Sequence, residues 1–146
     1  MTVSPRGVSA VGAALNQPVE DGMERNTRQR GAIRRVFAAV HRPLSPAEVL
    51  MEAKADVPTM GIATVYRTIK TLVDEGEITS IDIPGEAPRY EIAHLGHHHH
   101  FHCRTCDKVF EVDGCPADIQ KLAPPGFVTE GHEVMLFGRC TTCGVA

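Results

Sequence analysis

From Thr27 onward the apolar positions recur with a helical period. Ile33, Val36, Phe37 and Val40 fall at i, i+3, i+4 and i+7 and form one stripe, while arginines take the other side. Pro43 ends this helix, since it lacks an N–H and clashes with the preceding turn. Ser45-Pro46-Ala47-Glu48 is a capping box with Pro at the first helical position, so a second helix starts there and carries Val49, Leu50 and Ala53 inward. A third helix is predicted over about Gly61–Glu75. Ile62, Val65, Ile69, Leu72 and Val73 make its buried stripe, Thr64, Arg67, Thr68, Lys70 and Thr71 its polar face, and Gly76 its cap.

The period then changes. Ile78–Ile83 and Arg89–Ile92 read as two strands joined by a Pro- and Gly-containing loop, a hairpin that follows the third helix as a wing. Three short helices, the last with a polar outer face, suggest a winged helix-turn-helix. After Ile92 the residues shift to His and Cys. The remainder reads as a strand through the His run, a cysteine turn, a strand Lys108–Val112, a helix over about Pro116–Leu122 and a strand Glu133–Phe137. The expected fold is α+β: a flexible tail over residues 1–22, a winged-helix DNA-binding domain over 23–93, and a small α/β dimerisation domain over 94–146.

Composition narrows the function classes. With 42% hydrophobic and 23% charged residues, the chain reads as a globular protein. No apolar run is long enough to span a bilayer and the first twenty residues lack a signal-peptide core, so no membrane association and a cytoplasmic location are expected. The net charge of −3 does not favour nucleic acid, but Arg25, Arg28, Arg30, Arg34, Arg35 and Arg42 lie in one stretch without an acidic residue. Such a stretch marks a face that could meet phosphate.

All five cysteines lie in the last third of the chain. Cys103-x-x-Cys106 and Cys140-x-x-Cys143 form two thiol pairs, the ligand pattern of a closed, structural four-cysteine zinc site with no open coordination position. A thioredoxin-like redox pair is the alternative, but such proteins show a single C-x-x-C between strand and helix. Cys115 is left over and is expected to be a small buried hydrophobe.

The run His97-His98-His99-His100, followed by His102, carries the second signal. In an extended strand successive side chains point to opposite faces, so His97 and His99 face one way and His98 and His100 the other. One strand can then feed two metal sites, completed by donors such as Glu91, Glu111, Asp118 and His132. Imidazole with carboxylate suits zinc, iron, manganese and nickel.

Two segments carry a family resemblance: Gly61-Ile62-Ala63-Thr64-Val65-Tyr66-Arg67, and the His run leading into Cys103-Arg104-Thr105-Cys106-Asp107-Lys108-Val109. From about Arg25 to Cys143 the chain resembles the ferric uptake regulator family of metal-responsive repressors. The resemblance implies that Cys103, Cys106, Cys140 and Cys143 hold structural Zn2+. Glu91, His98, His100 and Glu111 match a regulatory site at the hinge, for Zn2+ or Fe2+ with Mn2+ a further candidate. His97, His99, Asp118 and His132 match a second metal site. Arg25, Thr64, Tyr66 and Arg67 are implied to face double-stranded operator DNA, read by a homodimer with no small-molecule substrate.

The chain also departs from the family pattern. Where the family often places a hinge-site His ahead of the second helix, this chain has Pro43, and His41 stands two residues away. His99 is closer to the zinc-type pattern than to the iron type, whereas Ala93 stands where zinc-type members often carry a Cys. A rival from another class is a small metal-dependent hydrolase. His97, His99 and His102 invite comparison with an H-x-H-x-D-H motif, but Phe101 occupies the position that needs Asp.

Overall fold

The computed structural model describes residues 17–144. Helix α1 spans Gln17–Ala39, α2 Pro46–Ala53 and α3 Ile62–Asp74. The first sixteen residues of the expected tail lie outside the described residues, while residues 17–22, also assigned to that tail, form the start of α1. The helix therefore begins well ahead of Thr27. Nothing between residues 19 and 27 is a helix breaker stronger than one Gly.

Local chemistry sets the ends of the next two helices. At α2, the Glu48 N–H donates to Ser45 Oγ at 3.2 Å and the Ser45 N–H donates to Glu48 Oε2 at 2.9 Å, the reciprocal capping box. At the end of α3, Gly76 takes φ +75°, its N–H bonds Val73 O, and the Glu77 N–H bonds Leu72 O at 2.9 Å. This is the Schellman arrangement, which satisfies carbonyls the helix leaves unpaired.

Ile33, Val36, Phe37, Val49, Ala53, Val65, Ile69, Leu72 and Ile78 close one buried core. Two expected positions on α3 are exchanged. Ile62, the first residue of α3, is 42% exposed, and Thr68 is buried.

Strands β1 (Ile78–Ile81) and β2 (Arg89–Ile92) pair antiparallel as the wing, and Leu44 bridges to Tyr90 on the free edge of β2. Tyr90 and Ile92 pack on the helical core. Arg89 and Glu91 alternate with them, are both buried, and bond to residues of the C-terminal half. The period of β2 thus turns two charged side chains towards the other half of the molecule.

That half is built on a three-stranded sheet. Its centre is β3 (His99–Cys103), antiparallel to β4 (Val109–Val112) and parallel to β5 (Met135–Gly138). The expected helix over Pro116–Leu122 is reduced to one 3-10 turn, Ile119–Leu122. Pro124-Pro125 follows directly, and the turn has no side-chain cap and buries nothing. Among the described residues, Val109 and Cys103 are the buried apolar side chains of this half, whereas Leu122, Phe127 and Val128 are at least 71% exposed. A unit with so little core needs a metal, a partner copy or both. The fold class is α+β: a winged helix-turn-helix followed by a small α/β domain carrying a four-cysteine cluster.

Candidate metal centres and the exposed face of α3

Among the described residues, three groups of metal-ligating side chains converge, each with its ligand atoms within 4.8 Å of one another. The first is Cys103, Cys106, Cys140 and Cys143. Cys106 Sγ lies 3.8 Å from Cys140 Sγ, too far for a disulfide and equal to the edge of a tetrahedron with zinc–sulfur bonds of about 2.3 Å. Backbone N–H groups, that of Cys106 foremost, hold the buried Cys103 thiol down at about 6. The neighbouring Cys140 and the burial of the cluster push Cys143 up to about 12. Four crowded thiols cannot all ionise together without a cation among them, and a zinc ion fits that need.

The second group joins the two halves. Glu91, on β2 and 3% exposed, lies 2.9 Å from His98 Nε2 and 3.3 Å from His100 Nε2. His98 Nδ1 stands 2.9 Å from the Gly96 carbonyl and donates to it. The neutral His98 ring then presents a lone pair at Nε2 to an acceptor-only carboxylate, a contact that needs a proton or a cation between the two atoms. Burial pushes His98 down, but the Gly96 carbonyl and the Glu91 carboxylate outweigh it and leave its pKa raised. Glu111, expected in this set, pairs with His100 across the β3–β4 ladder and is not among the three convergent donors. It lines, with His41 and Glu91, an adjoining cleft of about 70 Å³. Pro43 is fully buried in the helical core.

The third group is His97, His99, His132 and, in place of the expected Asp118, Cys115. His97 Nε2 and His132 Nε2 are 3.1 Å apart, and Cys115 Sγ is 2.7 Å from His132 Nε2. Asp118 pairs instead with Lys121 at 2.6 Å, out in solvent, at the start of the 3-10 turn. Cys115 is exposed and not the buried hydrophobe expected: Gly114, at φ +88°, turns the chain after β4 and leaves Cys115 on a loop beside His132. The His run is extended only from His99, yet its members divide between the two clusters by odd and even position.

His102 joins neither cluster. Its Nε2 lies 2.7 Å from Asp107 Oδ1, and Arg89 Nη2 donates to Asp107 Oδ2 at 2.8 Å. Sequence reasoning passed over this second tie between wing and C-terminal half; its one signal was an Arg alternating with Glu91 on β2. The same geometry disperses the hydrolase motif, whose third histidine points away from His97 and His99.

On α3, Tyr66 is 57% exposed, Arg67 is exposed, and Arg67 Nη2 donates to the hydroxyl of the half-buried Thr64 at 3.2 Å. The arginine stretch along and just after α1 is not one free basic face. Arg30 pairs with Glu75, Arg34 with Glu77, Arg35 with Asp56 and Arg42 with Glu48. Arg25 and Arg28 form no ion pair among the described residues.

The pattern of a winged helix-turn-helix joined through a buried carboxylate to a His- and Cys-rich domain is matched by the profile of the Ferric uptake regulator family over residues 21–137. The chain belongs to the ferric uptake regulator family. A ferric uptake regulation protein of Campylobacter jejuni is 32% identical over 122 residues, covering 80% of this chain and 78% of the relative. A zinc uptake regulation protein of Mycobacterium tuberculosis is 28% identical, covering 82% and 94%. The Helicobacter pylori ferric uptake regulator, described as having three functional metal binding sites, superposes with a TM-score of 0.64 at 23% identity over 88% of this chain and 90% of that one. Members of the family are metal-responsive transcriptional regulators, not enzymes. No helix of the described residues is long and apolar enough to cross a membrane.

Proposed function

We propose that this ferric uptake regulator family protein is a cytoplasmic, homodimeric repressor that binds operator DNA when a divalent metal occupies the hinge, and controls uptake genes for that metal. Residues 23–93 act as the DNA-binding domain and 94–146 as the dimerisation domain. The observation that carries this reading is Glu91: a buried carboxylate of the wing, held by two histidines of the other domain.

A divalent cation at that point supplies the positive charge that the carboxylate and two imidazole lone pairs lack. Glu91 then fixes the wing against β3, while His98 and His100 are oriented by the Gly96 carbonyl and the β3–β4 ladder. Because the wing is continuous with α3, holding it sets the spacing of two α3 helices across a dimer, and a ligand shifts that equilibrium by its differential affinity for the two arrangements. Glu111 and His41 line the adjoining cleft, and we propose them as the further donors of the hinge set. Zinc and ferrous iron fit these donors, and manganese is a further candidate. The exposed Leu122, Phe127 and Val128 support a second copy covering the C-terminal domain. Arg25, Thr64, Tyr66 and Arg67 contact the DNA, Arg67 reaching phosphate or base edges and Tyr66 thymine methyls.

The experiment is operator binding under buffered free zinc, ferrous iron and manganese, with the zinc of the four-cysteine cluster retained. His98→Ala/His100→Ala should remain dimeric and lose metal-dependent binding. A variant that binds operator with unchanged metal dependence refutes the hinge mechanism.

A further inference from the structure

We propose that Cys115 is a thiolate ligand of the inner cluster, so that this chain builds there a set of three imidazoles and one thiolate in place of an imidazole–carboxylate set. The proposal rests on the reading of His97, His99 and His132 as a metal site, and adds to it a ligand and a selectivity.

Three observations carry it. Cys115 Sγ, His132 Nε2 and His97 Nε2 follow one another at 2.7 and 3.1 Å, and a ring nitrogen of His99 falls within 4.8 Å of all three. His99 is 2% exposed, its Nδ1 accepts the Val134 N–H at 3.1 Å, and its Nε2 has no partner among the described residues. A buried ring nitrogen left without a partner marks a missing ligand, since native interiors leave few polar atoms unsatisfied. Asp118, the carboxylate expected at this site from the sequence, is engaged with Lys121 in solvent.

The chemistry follows from the donor set. Four donors of nitrogen and sulfur at mutual distances of a few ångströms suit a closed tetrahedral ion. A thiolate among imidazoles favours zinc or cobalt over manganese, which prefers oxygen donors. The hinge set of one carboxylate and two imidazoles has no sulfur. The two clusters, fed by alternate residues of one histidine run, therefore differ in ligand softness, and the inner one is the site that zinc fills first.

The test uses the full chain with its four-cysteine cluster loaded with zinc, titrated with Co2+ while the retained zinc is measured. Cobalt bound to a thiolate shows a sulfur-to-metal charge-transfer band in the near ultraviolet; cobalt on imidazole and carboxylate alone does not. One such band per chain is expected, absent in Cys115→Ser and in His97→Ala/His99→Ala. Zinc affinity of the inner site should fall at least about tenfold in Cys115→Ser, since losing even an outer partner of a ligand costs roughly that. Cys115 is exposed, and unchanged zinc content of the four-cysteine cluster certifies that the variant is folded.

Cobalt binding that depends on His97 and His99 but shows no thiolate band overturns the proposal and leaves the inner site standing. A band that persists in Cys115→Ser, or appears only as zinc is released, places the cobalt among the other cysteines and also overturns it. If no cobalt binding depends on His97 and His99, the inner site itself is refuted, and the proposal with it.

Discussion

Arg89 and Asp107 should respond unequally to removal, although they form one ion pair. The guanidinium is 4% exposed and the carboxylate 60% exposed. In Asp107→Asn, Arg89 stays buried without the anion that compensates it. Asn tolerates the left-handed φ of 62° that this position requires, so backbone strain does not contribute. A hydrogen bond to a charged group contributes about 1.5–3 kcal/mol, and the exposure of Asp107 puts the expected loss near the lower end of that range. In Arg89→Met, three hydrogen bonds disappear, to Ala87 O, Asp107 O and Asp107 Oδ2. Both acceptor residues are exposed and turn to water, and the substitution also removes Arg89 Nε, a buried donor that has no partner among the described residues. The carboxylate left behind is exposed, so removing the guanidinium strands no buried charge, and Arg89→Met should stay within about 1 kcal/mol of the parent. Urea unfolding at one buffered free zinc concentration, which keeps metal linkage constant, supplies the comparison. Arg89→Met destabilising as much as Asp107→Asn would refute the reasoning.

Three further outcomes are expected. Cys103→Ser should release one zinc per chain and unfold or monomerise the C-terminal domain, read by metal analysis and sedimentation, because Cys103 is fully buried and that domain has little other core; a dimer with full zinc would contradict it. Arg67→Ala and Tyr66→Ala should weaken operator binding without changing metal content, and the binding should weaken steeply with salt; unchanged affinity in both would remove α3 as the reading element. Burial pushes the Glu48 carboxyl up, but Arg42 and the Ser45 N–H outweigh it and hold it below the ordinary glutamate value. A carboxyl with a depressed folded pKa stabilises above its unfolded pKa and loses that contribution as pH falls through the folded one. Glu48→Gln should therefore destabilise at neutral pH by roughly 1.5 kcal/mol, and the difference should shrink below about pH 4.3; a pH-independent difference would contradict the ionic role.

The winged-helix half was legible because its signals are local: periodic apolar stripes, one capping box, and a glycine where α3 must stop. The division of the His run was legible for the same reason, since strand alternation needs no knowledge of partners. Where Asp118 and Cys115 lie was set by tertiary structure. Asp118 was expected at the inner site from the family resemblance, whereas the chain leaves it at the start of an exposed 3-10 turn, paired with Lys121. Cys115 was set aside because a lone cysteine carries no local pattern, and its position is decided by the turn at Gly114. The arginines of α1 read as a free basic face because their partners, Glu75, Glu77 and Asp56, lie between 21 and 45 residues away in sequence.

The hinge is the proposed element through which metal and operator communicate, and thermodynamic reciprocity puts it to the test. Metal affinity at the hinge should be measured with and without operator DNA, with the cysteine cluster loaded with zinc and the inner site saturated. Operator should tighten hinge metal binding by the same factor by which metal tightens operator binding, on the order of 5–150-fold, and Glu91→Gln should reduce both factors together. Metal affinity that does not change when operator is added, beside operator binding that still requires the metal, would contradict it.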